Sequence, residues 1–127
     1  MSTVLLAIDE THLASRLTNT LKDAGWAVVC VGNGYEAYRT ARSIRPDLIV
    51  ADYRLAQLGG LELCTKLHND RVTCDTPVVL LTARGFGTPS TSHLSNVKRV
   101  LTKPISPHAM LSLARTLVQN RLIGAGV

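Results

Sequence analysis

Short apolar runs alternate along this chain with longer stretches in which apolar residues recur every three or four positions. Runs of four to eight apolar residues bounded by polar ones predict buried strands, and the 3.6-residue rhythm predicts helices. The order read this way is strand 3–8, helix 12–24, strand 27–31, helix 34–44, strand 48–52, helix 60–68, strand 77–82, a weak helix 90–96, strand 99–102 and helix 107–121. Leu13, Leu17 and Leu21 form the apolar stripe of the first helix, which Gly25 stops. Ala37, Tyr38, Ala41 and Ile44 form the second, ended by Pro46, and Leu63, Cys64 and Leu67 form the third. Ser106 and Pro107 open the last helix as cap and first position, with Met110, Ala114, Leu117 and Val118 on its inner face. Strands alternating with helices pair in parallel, and right-handed crossovers place helices on both faces of one sheet. The expected fold class is α/β, a doubly wound five-stranded parallel sheet. The stretch Gly85-Phe86-Gly87-Thr88-Pro89-Ser90-Thr91-Ser92 breaks the rhythm and predicts a mobile loop followed by a short or frayed fourth helix. The tail from Gly124 to Val127 is expected to fray.

The polar residues that end the strands add chemistry. The first run ends on Asp9 and Glu10, the third on Asp52, the fourth on Thr82 and the fifth on Lys103, which precedes Pro104. In an open parallel sheet the carboxyl ends of the strands share one edge, where ligands bind. Three carboxylates, a hydroxyl and an ammonium are therefore expected at one crevice. Two carboxylates ~5 Å apart at an effective dielectric of ~20 repel by about 3 kcal/mol, so one is protonated or a cation lies between them. An all-oxygen, shallow rim suits Mg²⁺, which takes one or two carboxylates plus a phosphate and keeps several waters. A carboxylate facing the cation is a candidate nucleophile towards phosphorus. Taken singly, an aspartate at a strand end is more often a helix cap, and a threonine there a turn residue. Complementary groups on four strand ends make a coincidence much rarer.

A chain of 127 residues fits one domain, with an ordered core expected at about 3–121. No apolar run approaches a membrane span, the start lacks a signal-peptide pattern, and a cytoplasmic location is expected. The net charge is +5, and setting aside Asp9, Glu10, Asp52 and Lys103 leaves 13 basic and 6 acidic residues. That excess favours an acidic partner or nucleic acid. The basic residues are scattered, however, and aromatics make up only 4%, so direct nucleic-acid binding is not expected. Arg39, Arg42 and Arg45 form the one regular row, read as a solvated helix face. Cys30, Cys64 and Cys74 show no C-x-x-C spacing and read as small buried hydrophobes, a Cys64–Cys74 disulfide being poorly motivated. His12, His68, His93 and His108 lack the spacing of a metal-ligand pair. Gly32-Asn33-Gly34-Tyr35-Glu36-Ala37 has the outline of a dinucleotide-binding fingerprint, with Asp52 twenty residues after Gly32. That reading leaves Asp9, Glu10, Thr82 and Lys103 unexplained and makes its first strand the second. A turn in which Asn33-Gly34 opens the helix is preferred.

Asp9-Glu10, Asp52, Thr82-Ala83 and Lys103-Pro104, with Gly60 eight residues after Asp52, match in order and spacing the pattern of response regulator receiver domains. The chain resembles that family over nearly its whole length. The resemblance implies a CheY-like, flavodoxin-like sheet of strand order 2-1-3-4-5 and a phospho-accepting function in two-component signalling. Asp52 is the implied acceptor of a phosphoryl group from a phosphohistidine on a sensor histidine kinase or a phosphotransfer protein. Asp9, Glu10, Asp52 and the backbone carbonyl of Arg54 are the implied ligands of Mg²⁺, or Mn²⁺, some through water. Lys103 is implied to pair with phosphoryl oxygens, Pro104 to follow a cis bond, and Thr82 to move in and bond the phosphoryl group. That movement shifts the face built from strands four and five and the weak helix between them. The domain is not a conventional enzyme, but is expected to catalyse its own phosphorylation from phosphodonors and its own dephosphorylation. Its output is an unknown downstream protein, or an output domain if the chain is part of a longer one, and a homodimer is left open. Departures from the pattern fall on the switch. Val100 stands three before Lys103, where an aromatic is usual, Ala56 replaces a proline, and Ser95-Asn96-Val97-Lys98 replaces a Gly-Ala-Asp turn. A receiver-like module that signals without phosphate is therefore the rival expectation. Arg54 and Arg84, two residues past Asp52 and Thr82, occupy positions that tune phosphoryl lifetime in the family.

Overall fold

The computed structural model describes residues 1–85 and 87–125. Five strands, β1 (Thr3–Ala7), β2 (Ala27–Val31), β3 (Leu48–Asp52), β4 (Val78–Thr82) and β5 (Val97–Thr102), alternate with four helices, α1 (Thr11–Asp23), α2 (Gly34–Ile44), α3 (Gly60–His68) and α4 (Pro107–Ala125). All neighbouring strands are parallel, and the sheet order is β2-β1-β3-β4-β5. The expected fold class and order are both present.

The two-residue strand period divides the core into two layers. Val4, Leu6, Leu48, Val50, Val79 and Leu81 face α1 and α4, where they meet Leu13, Leu17, Leu21, Met110, Ala114, Leu117 and Val118. Leu5, Ala7, Ile49, Ala51, Val78 and Leu80 face α2 and α3, where they meet Ala37, Ala41, Leu63, Cys64 and Leu67. Strands β3 and β4 are buried throughout, and full burial of each large aliphatic side chain contributes about 1.5–3 kcal/mol. Helix ends follow local chemistry. Asn33 Oδ1 accepts from Glu36 N at 2.8 Å and caps α2. Ser106 Oγ accepts from Ala109 N at 3.3 Å at the start of α4. Gly25, at φ +94°, turns the chain out of α1.

Four expectations are corrected. The weak helix 90–96 is absent. Gly85 and Gly87 take positive φ, Pro89 follows, and the connection is held instead by buried Leu94 and by Asn96, whose Nδ2 donates to the Cys64 carbonyl at 3.1 Å. Only one apolar anchor serves that segment, too few to bury a helical face. Cys30 is exposed rather than buried, because β2 is an edge strand; its Sγ lies 3.2 Å from Thr18 Oγ1. Ile44 is 40% exposed at the end of α2, beyond the reach of the core. The last helix runs past 121 to Ala125, so Gly124 and Ala125 are helical; Phe86, Gly126 and Val127 lie outside the described residues. The arginine row is exposed as expected, but Arg42 Nε pairs with Asp70 at 2.8 Å and Arg45 is the left-handed cap of α2. Among the described residues no helix is long and apolar enough to cross a membrane.

Candidate functional site

Parallel pairing brings the carboxyl ends of β1, β3, β4 and β5 to one edge of the sheet, and Asp52 is its centre. The side chain ends β3 and is only 4% exposed. Oδ2 accepts the backbone N–H of Asp9 at 3.3 Å. Oδ1 lies 2.9 Å from Lys103 Nζ, an ion contact outside hydrogen-bond alignment, so that this buried oxygen has no directed donor. Burial pushes the Asp52 carboxyl above the ordinary carboxylate range, while Lys103 and the Asp9 amide pull it down and the Glu10 charge adds to the rise.

Lys103 reaches the site because its N–H donates to the Thr82 carbonyl at 2.9 Å, extending the β4–β5 ladder by one residue; the next bond, to Pro104, is cis as expected. Its ammonium also lies 3.7 Å from Glu10 Oε2 and so bridges the first and third strand ends. Glu10 is the N-cap residue of α1, yet its carboxylate makes no capping hydrogen bond. Asp9 and Glu10 are both exposed on the rim. The capping alternative for these acids therefore does not hold.

Thr82 is buried, and its hydroxyl donates to the Leu101 carbonyl at 3.4 Å, across to β5 rather than towards Asp52. Val100 pairs with Leu80 in the register and packs half-buried against the α2–α3 layer. Arg54 and Arg84 are exposed on the rim, as is Ala83. Gly60 supports Asp52 from below. Its N–H donates to the Tyr53 carbonyl at 2.8 Å, and a Cβ there would land on the Asp52 carbonyl. The glycine spacing read from the sequence thus marks a close approach of α3 to the end of β3.

Two clefts adjoin the Asp52 end of β3. One of about 360 Å³ is bordered by Glu10, His12, Arg16, Arg84, Lys103 and Ile105. The other, about 270 Å³, is bordered by Tyr53, Thr82, Ala83, Gly87, Thr88 and Pro89. His12, Arg16 and Tyr53 were not singled out by the strand-end pattern as cleft-lining groups. For the first cleft the available signal was helical spacing, since Glu10, Leu13 and Arg16 recur every three residues. The glycine-rich fingerprint is filled by protein instead. Gly34 N–H donates to the Ala56 carbonyl at 3.2 Å, and a Cβ at Gly34 would overlap the Leu58 carbonyl, so the α2 terminus is packed against the loop after β3.

The donors around Asp52 are oxygens, and its unaligned Oδ1 is a natural cation ligand. Among the described residues no three His, Cys, Asp or Glu side chains already form a cation cage. The residues present suit a hard ion held by one or two carboxylates, a carbonyl and water, rather than a closed protein site.

Comparison with known proteins points to one family. A family model described as the response regulator receiver domain matches residues 4–115. The phosphate regulon transcriptional regulatory protein PhoB of Pseudomonas aeruginosa is 28% identical over 119 residues, 93% of this chain and 52% of that protein. The signal receiver domain of a signal transduction histidine kinase from Syntrophus aciditrophicus superposes with a TM-score of 0.82 at 28% identity, covering 94% of this chain and 92% of that one. The receiver domain of a sensor histidine kinase from Pseudomonas aeruginosa, solved with magnesium in its active-site cleft, gives a TM-score of 0.81 at 21% identity, over 93% and 98% of the two chains. The chain spans about half the length of the curated relatives it matches.

Proposed function

Because the chain belongs to the response regulator receiver domain family, we propose that it accepts a phosphoryl group on Asp52 and carries a two-component signal. One observation carries the reading: a buried carboxylate at the sheet edge whose Oδ1 faces an ammonium at 2.9 Å yet lacks an aligned donor. That oxygen is poised for a cation and, beside it, for phosphorus. In the transfer an Asp52 oxygen forms a bond to phosphorus as the phosphorus–nitrogen bond to a partner's histidine breaks, and the imidazole leaves. Little covalent help is needed, since phosphoryl transfer depends on positioning and charge neutralisation. Lys103, already between Glu10 and Asp52, would hold a phosphoryl oxygen. Thr82 would exchange its Leu101 carbonyl for a phosphoryl oxygen, a rotation favoured by the length of its present bond, 3.4 Å.

Asp9, Glu10, Asp52 and the Arg54 carbonyl would hold Mg²⁺ or Mn²⁺, as the magnesium in the cleft of the Pseudomonas kinase receiver suggests. When bound, the ion supplies positive charge that offsets repulsion between carboxylate and phosphate. Arg54 and Arg84, on the rim, would set the lifetime of the acyl phosphate by controlling water access. The donor is a sensor histidine kinase or a phosphotransfer protein, and the setting is the cytoplasm, consistent with three free cysteines.

The test is to incubate the protein with Mg²⁺ and a small acyl-phosphate donor and weigh it intact, with Asp52→Asn as control. A gain of one phosphoryl group by the parent alone supports the reading. No gain, with no Mg²⁺ binding, supports the second reading, a module that signals without phosphate. That alternative draws on Val100 at the usual aromatic position.

A further inference from the structure

The two edges of the sheet are built differently. On β5, Lys98 and Arg99 are exposed side by side, and the register slips between Val78 and Val79. Charge and a bulge are common guards of an open edge. The opposite edge, β2, has neither. Its register with β1 runs unbroken from Thr3↔Ala27 to Ala7↔Val31, and residues 24–35 include no charged side chain and no proline. Trp26 and Val31 are buried, Val28 and Val29 are half-buried, and Cys30 is exposed, so the edge opens at the middle of the strand.

The backbone at this opening has a defined pattern. A parallel strand bonds to its neighbour through alternate residues. Ala27 N–H donates to the Ser2 carbonyl at 2.9 Å, and the Val31 carbonyl accepts from Ile8 N at 3.2 Å. Ala27, Val29 and Val31 therefore face β1, and the N–H and C=O groups of Val28 and Cys30 point out of the sheet. The pattern is self-complementary. With a two-fold axis at Val29, Val28 stands opposite Cys30 of an antiparallel second copy and Cys30 opposite its Val28, each pair exchanging both backbone bonds. Val28 packs on the α1–α4 layer and Val29 on the α2–α3 layer, so an axis normal to the sheet sets like layer beside like layer. We propose that β2 pairs with β2 of a second copy, antiparallel about Val29, joining the two sheets into one.

Charge favours this occupant. The chain carries a net +5, so two copies repel wherever they present their basic residues to each other. The β2 edge sets neutral side chains against neutral ones. Beside it runs a groove of about 480 Å³ lined by Ala14, Ser15, Thr18, Asn19 and Cys30 among others, and of all its lining residues only Asp9 is charged. The α1 flank of the edge is thus small and uncharged, and leaves room for the second copy. A charged peptide or a nucleic acid finds no counter-charge on the strand. One strand pair falls at the small end of protein interfaces, below roughly 1,200 Å², so a weak dimer is expected, with a Kd on the order of 0.1 mM. Phosphate plays no part in the pairing, and the unphosphorylated protein is the one tested, so a failure of phosphate acceptance does not touch it.

The experiment is analytical ultracentrifugation of the purified chain from roughly 10 µM to 1 mM, in reducing buffer so that no disulfide contributes. The mass should rise from monomer towards dimer and no further. Cys30→Pro removes an outward N–H from each copy while leaving the β1 ladder intact, since proline is tolerated where an edge N–H faces solvent. It should weaken the dimer by about tenfold or more, whereas Cys30→Ser, which keeps the N–H, stays within about twofold of the parent. Amide exchange of the parent followed by NMR needs no variant: the Val28 and Cys30 amides should slow as concentration rises, and those of β5 should not. A monomer throughout, a dimer indifferent to Cys30→Pro or weakened equally by Cys30→Ser, protection on β5 in place of β2, or growth beyond a dimer overturns the proposal.

Discussion

Asp52 is at odds with its surroundings: a carboxylate in a nearly dry position, held by one backbone N–H and one imperfectly aligned ammonium. Its folded pKa lies above the unfolded value, with burial the main cause. The protonated form therefore stabilises the fold fully below the unfolded pKa, and that contribution is lost as pH rises through the folded pKa. At neutral pH the ionised group costs stability. Asp52→Asn should raise the metal-free melting temperature by a few degrees at pH 7, on the order of 3 °C for a chain this size, and the gain should shrink towards pH 4. Thermal melts of both proteins across that range check it, and a variant less stable than the parent at pH 7 contradicts it. Thr82→Ala removes only a 3.4 Å hydrogen bond to the Leu101 carbonyl and should cost about 1 kcal/mol or less in urea unfolding. Intact mass should still show phosphate uptake, because the hydroxyl faces away from the acceptor before transfer.

At the scale of elements, Asp52 is only as well placed as the helices beneath it. Gly60→Ala drives a Cβ into the Asp52 carbonyl, whereas a Cβ at Gly59 meets nothing nearer than Glu62 Oε1 at 3.6 Å. The first should destabilise by about 2–3 kcal/mol and slow phosphate uptake, and the second by under about 1 kcal/mol, as urea unfolding will show. Helices α2 and α3 are tied by another carboxylate. Asp70 accepts from the Tyr38 hydroxyl at 2.6 Å, from the Val72 N–H at 2.8 Å, and pairs with Arg42 at 2.8 Å; Lys66 lies 5.0 Å over the Tyr38 ring. The Tyr38 hydrogen bond, first among these, holds the Asp70 carboxyl below the usual range and in turn raises the phenol. With a depressed folded pKa, Asp70 contributes stability above its unfolded pKa, and the contribution is lost as pH falls through the folded pKa. Asp70→Asn should melt below the parent at pH 7, and the gap should close as pH drops below 3.8, the ordinary value. A gap independent of pH would remove charge from the explanation.

For the molecule as a whole, the proposed cation at the sheet edge would link binding to stability. An ion that binds only the folded state at ~100 times its Kd adds about 2.7 kcal/mol. Mg²⁺ should therefore raise the melting temperature of the parent, chelation should reverse the rise, and Asp52→Asn should respond far less. An equal response from both proteins would place the ion elsewhere. Much of this whole was legible along the chain. The strands β2 and β3 and the helices α2 and α3 fall where the hydrophobic period put them, because two buried faces require unbroken apolar strands and one-sided helices. What misled was local composition without its context. Cys30 lies in an apolar run, yet an edge strand exposes it, and 90–96 has polar residues compatible with a helix but a single buried apolar anchor, Leu94.

The sequence by itself determined the parallel α/β architecture and the order in which acids, hydroxyl and lysine reach the strand ends, since both follow from periodicity and from the side chain that closes each run. Tertiary structure alone decided the rest. It set Tyr38 against Asp70, 32 residues apart, and the Asp9 amide against Asp52, 43 residues apart. It turned the Thr82 hydroxyl towards β5, and it set the two strands of the carboxylate-free segment 76–127 side by side in the sheet. The reason is physical: a hydrogen bond or an ion pair is set by distances of about 3 Å, and a one-dimensional pattern specifies which groups exist but not which oxygen ends up beside which nitrogen.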